Sequence, residues 1–171
     1  MLIINTGGTF NKRYNPLKGE LEVPKDNIAL ESILRYCYNT PYTLKAIIHK
    51  DSLEMNEDDR ALMLKTIQNH ASDKILIVHG TDTMDITASY LDLHVKNKTI
   101  VLTGAMVPFS IDTVEATANL MFALGALHVK EEKGIFIRGT VQKDFRPVLL
   151  EDSYGSVYFA PFPYAEPALL R

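Results

Sequence analysis

The run Ile75-Leu76-Ile77-Val78-His79-Gly80-Thr81-Asp82-Thr83-Met84 decides the fold. Its first four residues are wholly apolar, and a helical pattern begins after its last. A short apolar run closed by turn residues reads as a strand buried on both faces, which a parallel sheet covered by helices requires. Polar residues at the point where such a strand turns into a helix lie in the crevice that open α/β sheets use for ligands. Taken alone, Thr81, Asp82 and Thr83 also fit the commoner task of capping the helix that follows.

Outward from this run the same unit repeats. Leu2-Ile3-Ile4 is a strand that ends at a second Thr/Gly cluster, Thr6-Gly7-Gly8-Thr9. Residues 10–22 are polar and turn-rich and read as a mobile loop or hairpin. Ile28, Leu30, Ile33, Leu34 and Cys37 recur at helical spacing after Asp26, a candidate N-cap. Thr43 to His49 is strand-like, and Asp51-Ser52-Leu53-Glu54-Met55 is a loop. Asn56 should cap a helix over about 57–71, with acids in its first turn and Leu62, Leu64 and Ile67 on its apolar side. Thr99 to Leu102 is the next strand and runs into Thr103-Gly104. Asp112-Thr113-Val114-Glu115 has the form of a capping box before a helix to about Val129 that is apolar nearly all round. Ile135-Phe136-Ile137 is a fifth strand.

Strands alternating with helices predict an α/β fold: an open, mostly parallel sheet with helices on both faces. Right-handed crossovers should gather Thr6, His49, His79, Thr103 and Arg138 at the C-terminal ends of the strands, where an active site belongs. The expected organisation is one domain over residues 1–171. Its last part, about 144–171, is read as an irregular tail rich in aromatic residues and proline.

Composition excludes several functions. The 171 residues carry a net charge of −3, without the basic stripe expected of a nucleic-acid partner. No apolar run is long enough for a membrane span, and the first residues lack a signal-peptide pattern, so a cytoplasmic protein is expected. A single cysteine, Cys37, excludes an internal disulfide and reads as a core thiol. Walker and Gly-x-Gly-x-x-Gly loops, His-Glu-x-x-His, paired Cys/His spacing and a Gly-x-Ser-x-Gly elbow are all missing from the sequence. No metal or cofactor is expected. The strand ends offer instead threonine hydroxyls, a carboxylate and backbone amides. A hydroxyl can serve as a nucleophile once its proton is taken, and amides at Gly-rich turns can hold an oxyanion. These are parts of an acyl-transfer site. On spacing alone His79 reads as a satisfied strand-end histidine, and Ser52 as a loop residue or cap.

Four segments in order carry a resemblance. Thr6-Gly7-Gly8-Thr9-Phe10 resembles the first signature of the bacterial-type L-asparaginase/glutaminase family, and His79-Gly80-Thr81-Asp82-Thr83-Met84 resembles its second. Asp51-Ser52-Leu53-Glu54-Met55 is similar to the loop between them. Leu102-Thr103-Gly104-Ala105-Met106-Val107-Pro108 matches a further segment, and Asn119-Leu120 fits the helix after it. The resemblance implies the family's larger N-terminal α/β domain and hydrolysis of the side-chain amide of L-asparagine to aspartate and ammonia without a cofactor. It implies Thr9 as the nucleophile, with Tyr14 helping to polarise it. Thr81, Asp82 and a lysine, for which Lys143 is chosen, form a second unit; Arg138 or Arg146 is the fallback for its positive charge. Asp82 would pair with the substrate ammonium, and Ser52 would hold its α-carboxylate. Gly8, Asp51, Gly80, Thr81 and Ala105 complete the substrate-binding set. The chain looks like the short single-domain members, and a homo-oligomer, dimer or tetramer, is expected. Two alternatives stay open: a non-catalytic amino-acid-binding domain, and an amidohydrolase acting on another amide such as glutamine.

Overall fold

The structure is a computed structural model, and it describes residues 1–38, 40–129, 134–137, 148–152 and 155–159. The chain divides into two units, Met1–Arg138 and Gly139–Arg171. The first unit contains a five-stranded sheet. Its strands are β1 (Leu2–Gly7), β4 (Thr43–Lys50), β5 (Lys74–Val78), β6 (Thr99–Thr103) and β7 (Gly134–Ile137). Strands β2 (Arg13–Asn15) and β3 (Glu20–Glu22) form an antiparallel hairpin, as the turn residues of 10–22 allow. The helices are α1 (Ile28–Leu34), α2 (Glu57–Gln68), α3 (Met84–His94) and α4 (Thr113–Val129).

The large sheet has the order β4-β1-β5-β6-β7, with every pair parallel. Alternation along the strands divides the core in two. Ile3, Leu76, Val78 and Val101 face one layer with Leu30, Ile33 and Leu34 of α1 and Leu120, Leu124 and Leu127 of α4. Leu2, Ile4, Ile75, Ile77, Ile100 and Leu102 face the other, with Met63 and Ile67 of α2 and Met84 and Leu91 of α3. Both faces are covered, which is why these strands read as unbroken apolar runs. The chain leaves β1 for β4 on one side and returns past it to β5 on the other. The reversal of strand order, and with it the crevice, therefore lies between β1 and β5.

Several expectations are corrected in detail. The crossovers do not share one hand. From β4 to β5, β5 to β6 and β6 to β7 the chain steps in one direction across the sheet. Yet α2 and α3 cover one face and α4 the other. The β6–α4–β7 connection thus has the opposite hand to its two predecessors, and it is the exception to the right-handed rule. An almost wholly apolar helix can be buried on either face, so its sequence pattern did not fix its side.

The N-cap of α1 is Asn27; Asp26 instead accepts a hydrogen bond from the Ile28 N–H at 3.1 Å. Helix α2 ends at Gln68, and its buried side is Arg60, Met63 and Ile67, while Leu62 is exposed. Its capping box does form: Asn56 accepts from the Asp59 N–H at 3.1 Å, and Asp59 accepts from the Asn56 N–H at 3.0 Å. The box expected at Asp112–Glu115 does not. Asp112 accepts from Val114 N–H at 2.8 Å, while Glu115 turns away to the loop before it, for the reason given below.

In the second unit, β8 (Val148–Asp152) and β9 (Gly155–Phe159) form an antiparallel pair, with Val148 opposite Phe159 and Asp152 opposite Gly155. This part of the tail is regular, against expectation. β-Branched and aromatic residues such as Val148, Val157, Tyr158 and Phe159 favour strands. Among the described residues no helix is long and apolar enough to cross a membrane.

Candidate active site

The crevice is built by backbone packed against backbone. Strand β1 ends at Gly7 and is followed by Gly8, both at positive φ (98° and 71°). A Cβ on Gly8 would lie 2.5 Å from the Gly80 nitrogen and 2.6 Å from its Cα. A Cβ on Gly80 would lie 2.5 Å from Ser52 Oγ. One on Gly104 would collide with the His79 carbonyl oxygen and meet Thr81 Cγ2 at 3.4 Å. Four loops, those after β1, β4, β5 and β6, therefore stack at glycine contacts that admit no side chain. Gly8, Ser52, Gly80, Thr81 and Ala105 are brought together in this way, with Thr9 next in the chain.

Thr9 opens a short 3-10 turn, Thr9–Asn11, and is half-buried. A buried amide cluster holds the turn. Asn11 Nδ2 donates to the Gly7 carbonyl at 2.6 Å and to Asn5 Oδ1 at 2.9 Å. Asn5 Nδ2 donates to Asn27 Oδ1 at 2.9 Å, and Asn5 Oδ1 also accepts from the Gly7 N–H. Sequence reading missed these asparagines. Their only signal was their polarity next to an apolar strand. On its far side the turn is tied to the β6–α4 loop: Phe109 N–H donates to the Phe10 carbonyl at 3.2 Å and Ser110 Oγ to the Lys12 carbonyl at 2.8 Å. The reversed crossover of α4 makes this contact possible, since it carries the loop back over the layer that holds Phe10.

Ser52 is buried, and its Oγ lies 3.4 Å from Asp82 Oδ2, a long donor contact. Asp82 is exposed. Thr83 occupies the N-cap position of α3 but makes no side-chain cap; its hydroxyl donates to the Ser52 carbonyl at 2.9 Å instead. The expected capping role of residues 81–83 is thus exchanged for a tie between two loops. Thr81 Oγ1 makes a weak contact to Met106 Sδ at 3.4 Å. The β6–α4 loop is itself pinned: Glu115 accepts from the Met106 and Val107 N–H groups, both at 2.9 Å, and Asn119 Nδ2 donates to the Gly104 carbonyl at 2.9 Å. That is where the carboxylate expected in a capping box goes.

Asp51 carries an ion pair to Lys12 at 2.5 Å, and its other oxygen accepts from Leu53 N–H at 3.1 Å. The Lys12 hydrogen bond holds the Asp51 carboxyl below its ordinary range, against the opposing effect of burial. The Asp51 carboxylate is thus already matched by a cation of the loop after β1. Sequence reading did not single out Lys12. Tyr14 stands on β2, 62% exposed, and its hydroxyl has no hydrogen-bond partner among the described residues. Lys143, Arg138 and Arg146 lie outside the described residues.

His79 is fully buried with both ring nitrogens partnered, as a satisfied strand-end histidine should be. Nδ1 is 2.7 Å from the Gly80 carbonyl and Nε2 is 2.9 Å from Thr87 Oγ1. Burial pushes its pKa down, and the nearby Arg60 charge adds to this against the Gly80 contact. Among the described residues no group of three or more His, Cys, Asp or Glu side chains could hold a metal.

Residues 1–142 match the family model described as asparaginase, N-terminal. A protein named as a probable periplasmic L-asparaginase of Haemophilus influenzae is 37% identical over 91 residues, covering 52% of this chain and 26% of that protein. The thermostable L-asparaginase of Thermococcus kodakarensis superposes with a TM-score of 0.67 at 25% identity, covering 80% of this chain and 43% of that one. A probable cytoplasmic L-asparaginase of Campylobacter jejuni gives a TM-score of 0.66 at 25% identity, with the same coverage. This chain spans less than half the length of each.

Proposed function

Because this chain belongs to the asparaginase family, we propose that it hydrolyses the side-chain amide of L-asparagine through a threonyl ester. The supporting observation is the stacking of Gly8 on Gly80 and of Gly80 on Ser52, which packs together the loops bearing Thr9, Ser52 and Thr81-Asp82 at the switch point of the sheet. In this reading Thr9 Oγ attacks the amide carbon, its proton passes to the departing nitrogen, and ammonia leaves a β-aspartyl ester. Water then adds to the ester carbon, and aspartate and the free hydroxyl are released. Asp82 takes the substrate ammonium, and Ser52 with neighbouring amides takes the α-carboxylate. One anion for the ammonium and neutral donors for the carboxylate suit a zwitterion, since mispaired charges in a desolvated site are costly. Backbone donors around residues 80–81 receive the developing oxyanion. The family resemblance gives Thr81 and Asp82 a lysine partner, for which Lys143 is chosen, and gives Tyr14 of the β2–β3 hairpin the role of helping to polarise Thr9. A homo-oligomer and a cytoplasmic location belong to the same reading; of the proteins compared, one is named as cytoplasmic and another as periplasmic.

Ammonia release measured with L-asparagine, L-glutamine and an asparagine with blocked α-groups tests this reading. Turnover is expected on asparagine, and Thr9→Ala should abolish it while aspartate binding stays within about tenfold, the loss of one hydroxyl contact being worth about 1 kcal/mol. One observation favours a binding-only protein: Thr9 Oγ1 has no hydrogen-bonded base among the described residues. Saturable aspartate binding without ammonia release from any of the three amides would establish that alternative.

A further inference from the structure

Behind residues 79–81 runs a buried chain of polar groups that none of the steps above uses. Arg60 of α2, 7% exposed, donates from Nε to Thr87 Oγ1 of α3 at 3.2 Å. Thr87 Oγ1 is 2.9 Å from His79 Nε2, and His79 Nδ1 is 2.7 Å from the Gly80 carbonyl. Donor and acceptor roles follow from chemistry. A carbonyl only accepts, so Nδ1 carries the ring proton. A fully buried imidazole whose pKa is lowered is neutral near pH 7, which leaves Nε2 as an acceptor. The Thr87 hydroxyl must then donate to Nε2 and accept from Arg60. Every member has one arrangement, running from Arg60 to Thr87 to His79 to the Gly80 oxygen.

The last link reaches the site. The peptide bonds here are trans and planar, so the Gly80 carbonyl and the Thr81 N–H point in opposite directions. With the carbonyl held on the buried ring, the Thr81 N–H is directed away from it. It has no hydrogen-bond partner among the described residues. Several neighbouring amides at the strand ends are engaged elsewhere: Gly8 N–H with the Lys50 carbonyl, His79 N–H with the Thr103 carbonyl, and Met106 and Val107 N–H with Glu115. Packing alone does not ask for this arrangement. A valine would fill the place of Thr87, and a buried hydroxyl between an arginine and a histidine is tolerated only when each is bonded.

We propose that Arg60 and Thr87 are positioning residues for the amide attack, which through the His79 ring fix the Gly80–Thr81 peptide so that its N–H meets the substrate carbonyl oxygen. The assignment rests on the hydrolase reading given above. It makes three residues, on α2, on α3 and in the loop after β5, into determinants of kcat without any of them touching substrate.

The experiment compares the parent chain with Thr87→Val and Thr87→Ser. Steady-state kinetics on L-asparagine should show kcat lowered about tenfold or more in Thr87→Val, a part of the 10²–10³-fold lost when an oxyanion donor is removed outright. KM should stay within about twofold, and Thr87→Ser should restore kcat to within about twofold of the parent. Nitrogen-15 spectra of the imidazoles should show His79 protonated at Nδ1 and bare at Nε2 in the parent. The Nε2 signal and the Thr81 amide signal should both move in Thr87→Val and return in Thr87→Ser. Parental kcat in Thr87→Val, or equal losses in both variants, would overturn the proposal. So would a His79 protonated at Nε2, or a Thr81 amide signal that stays in place in Thr87→Val. If the parent hydrolyses no amide, the hydrolase reading fails and with it the role in kcat. The nitrogen and amide signals still decide whether Arg60 and Thr87 orient the peptide.

Discussion

A single methyl group at Gly80 would occupy the space of the Ser52 hydroxyl, since the added carbon would lie 2.5 Å from Oγ and 2.6 Å from Cβ. Both atoms belong to a short, buried side chain that cannot swing far. Gly80→Ala is therefore expected to cost about 1–3 kcal/mol in urea unfolding, the usual range for overpacking. It should also weaken aspartate binding, because Ser52 must move. An unchanged unfolding midpoint would mean that the four loops are not stacked as described. Asp51 gives a second test at this scale. Its folded-state pKa is depressed, chiefly by Lys12, so the pair stabilises the fold above the unfolded carboxyl value of about 3.9. That stabilisation is lost as pH falls through the lower folded value, where both states are protonated. With each side chain about a quarter exposed, Asp51→Asn should cost no more than about 1 kcal/mol at pH 7. The difference from the parent should shrink to nothing in acid. A difference that persists at pH 2 would assign the effect to something other than the ion pair. The glycines and threonines were legible in the sequence because they stand in short contiguous motifs. The Asn5–Asn11–Asn27 cluster and the Lys12–Asp51 pair were not, because their members meet only after the chain has folded across 22 and 39 residues.

Element boundaries came out of the sequence best where one residue type can do one thing. Asn56 before three acids is a helix start and nothing else, and its capping box is present. Asn56→Ala should cost about 1 kcal/mol of stability and leave turnover unchanged, since the side-chain bond it removes, to the Asp59 N–H, lies within the first turn of α2. The pattern at 112–115 misled because Glu115 has a stronger alternative. Two amides of the loop before α4 would otherwise be left without partners, and one carboxylate takes both, with bonds of the charge-assisted kind. Glu115→Ala is thus expected to differ from a helix-cap variant. It should cost about 1–3 kcal/mol, and it should also change KM, because the freed segment includes Met106, which contacts Thr81. Equal and purely structural losses in Asn56→Ala and Glu115→Ala would show that the loop is held by other means.

For the whole molecule, alternation and strand runs were enough to predict the parallel sheet, and the reversal of strand order placed the crevice. Helix α4 escaped the same logic. An amphipathic helix declares the face on which it lies, whereas a helix apolar nearly all round does not, and the usual handedness rule then pointed to the wrong face. The consequence is local as well as global. Carried over the layer that holds Phe10, α4 leaves Met106, Ile111 and Val114 exposed along its approach to the Thr9 turn. Apolar side chains grouped at the rim of a site are a common mark of association surfaces. Light scattering is expected to give a mass above the 19.2 kDa of one chain, and specific activity should fall on dilution through the dissociation range. Val114→Lys should move that range to higher concentration without altering the unfolding of the isolated chain by more than about 0.5 kcal/mol, since it lies on the surface. A constant mass of one chain, with activity strictly proportional to concentration in both parent and variant, would show that a single chain carries a complete site and that the exposed rim has no partner in catalysis.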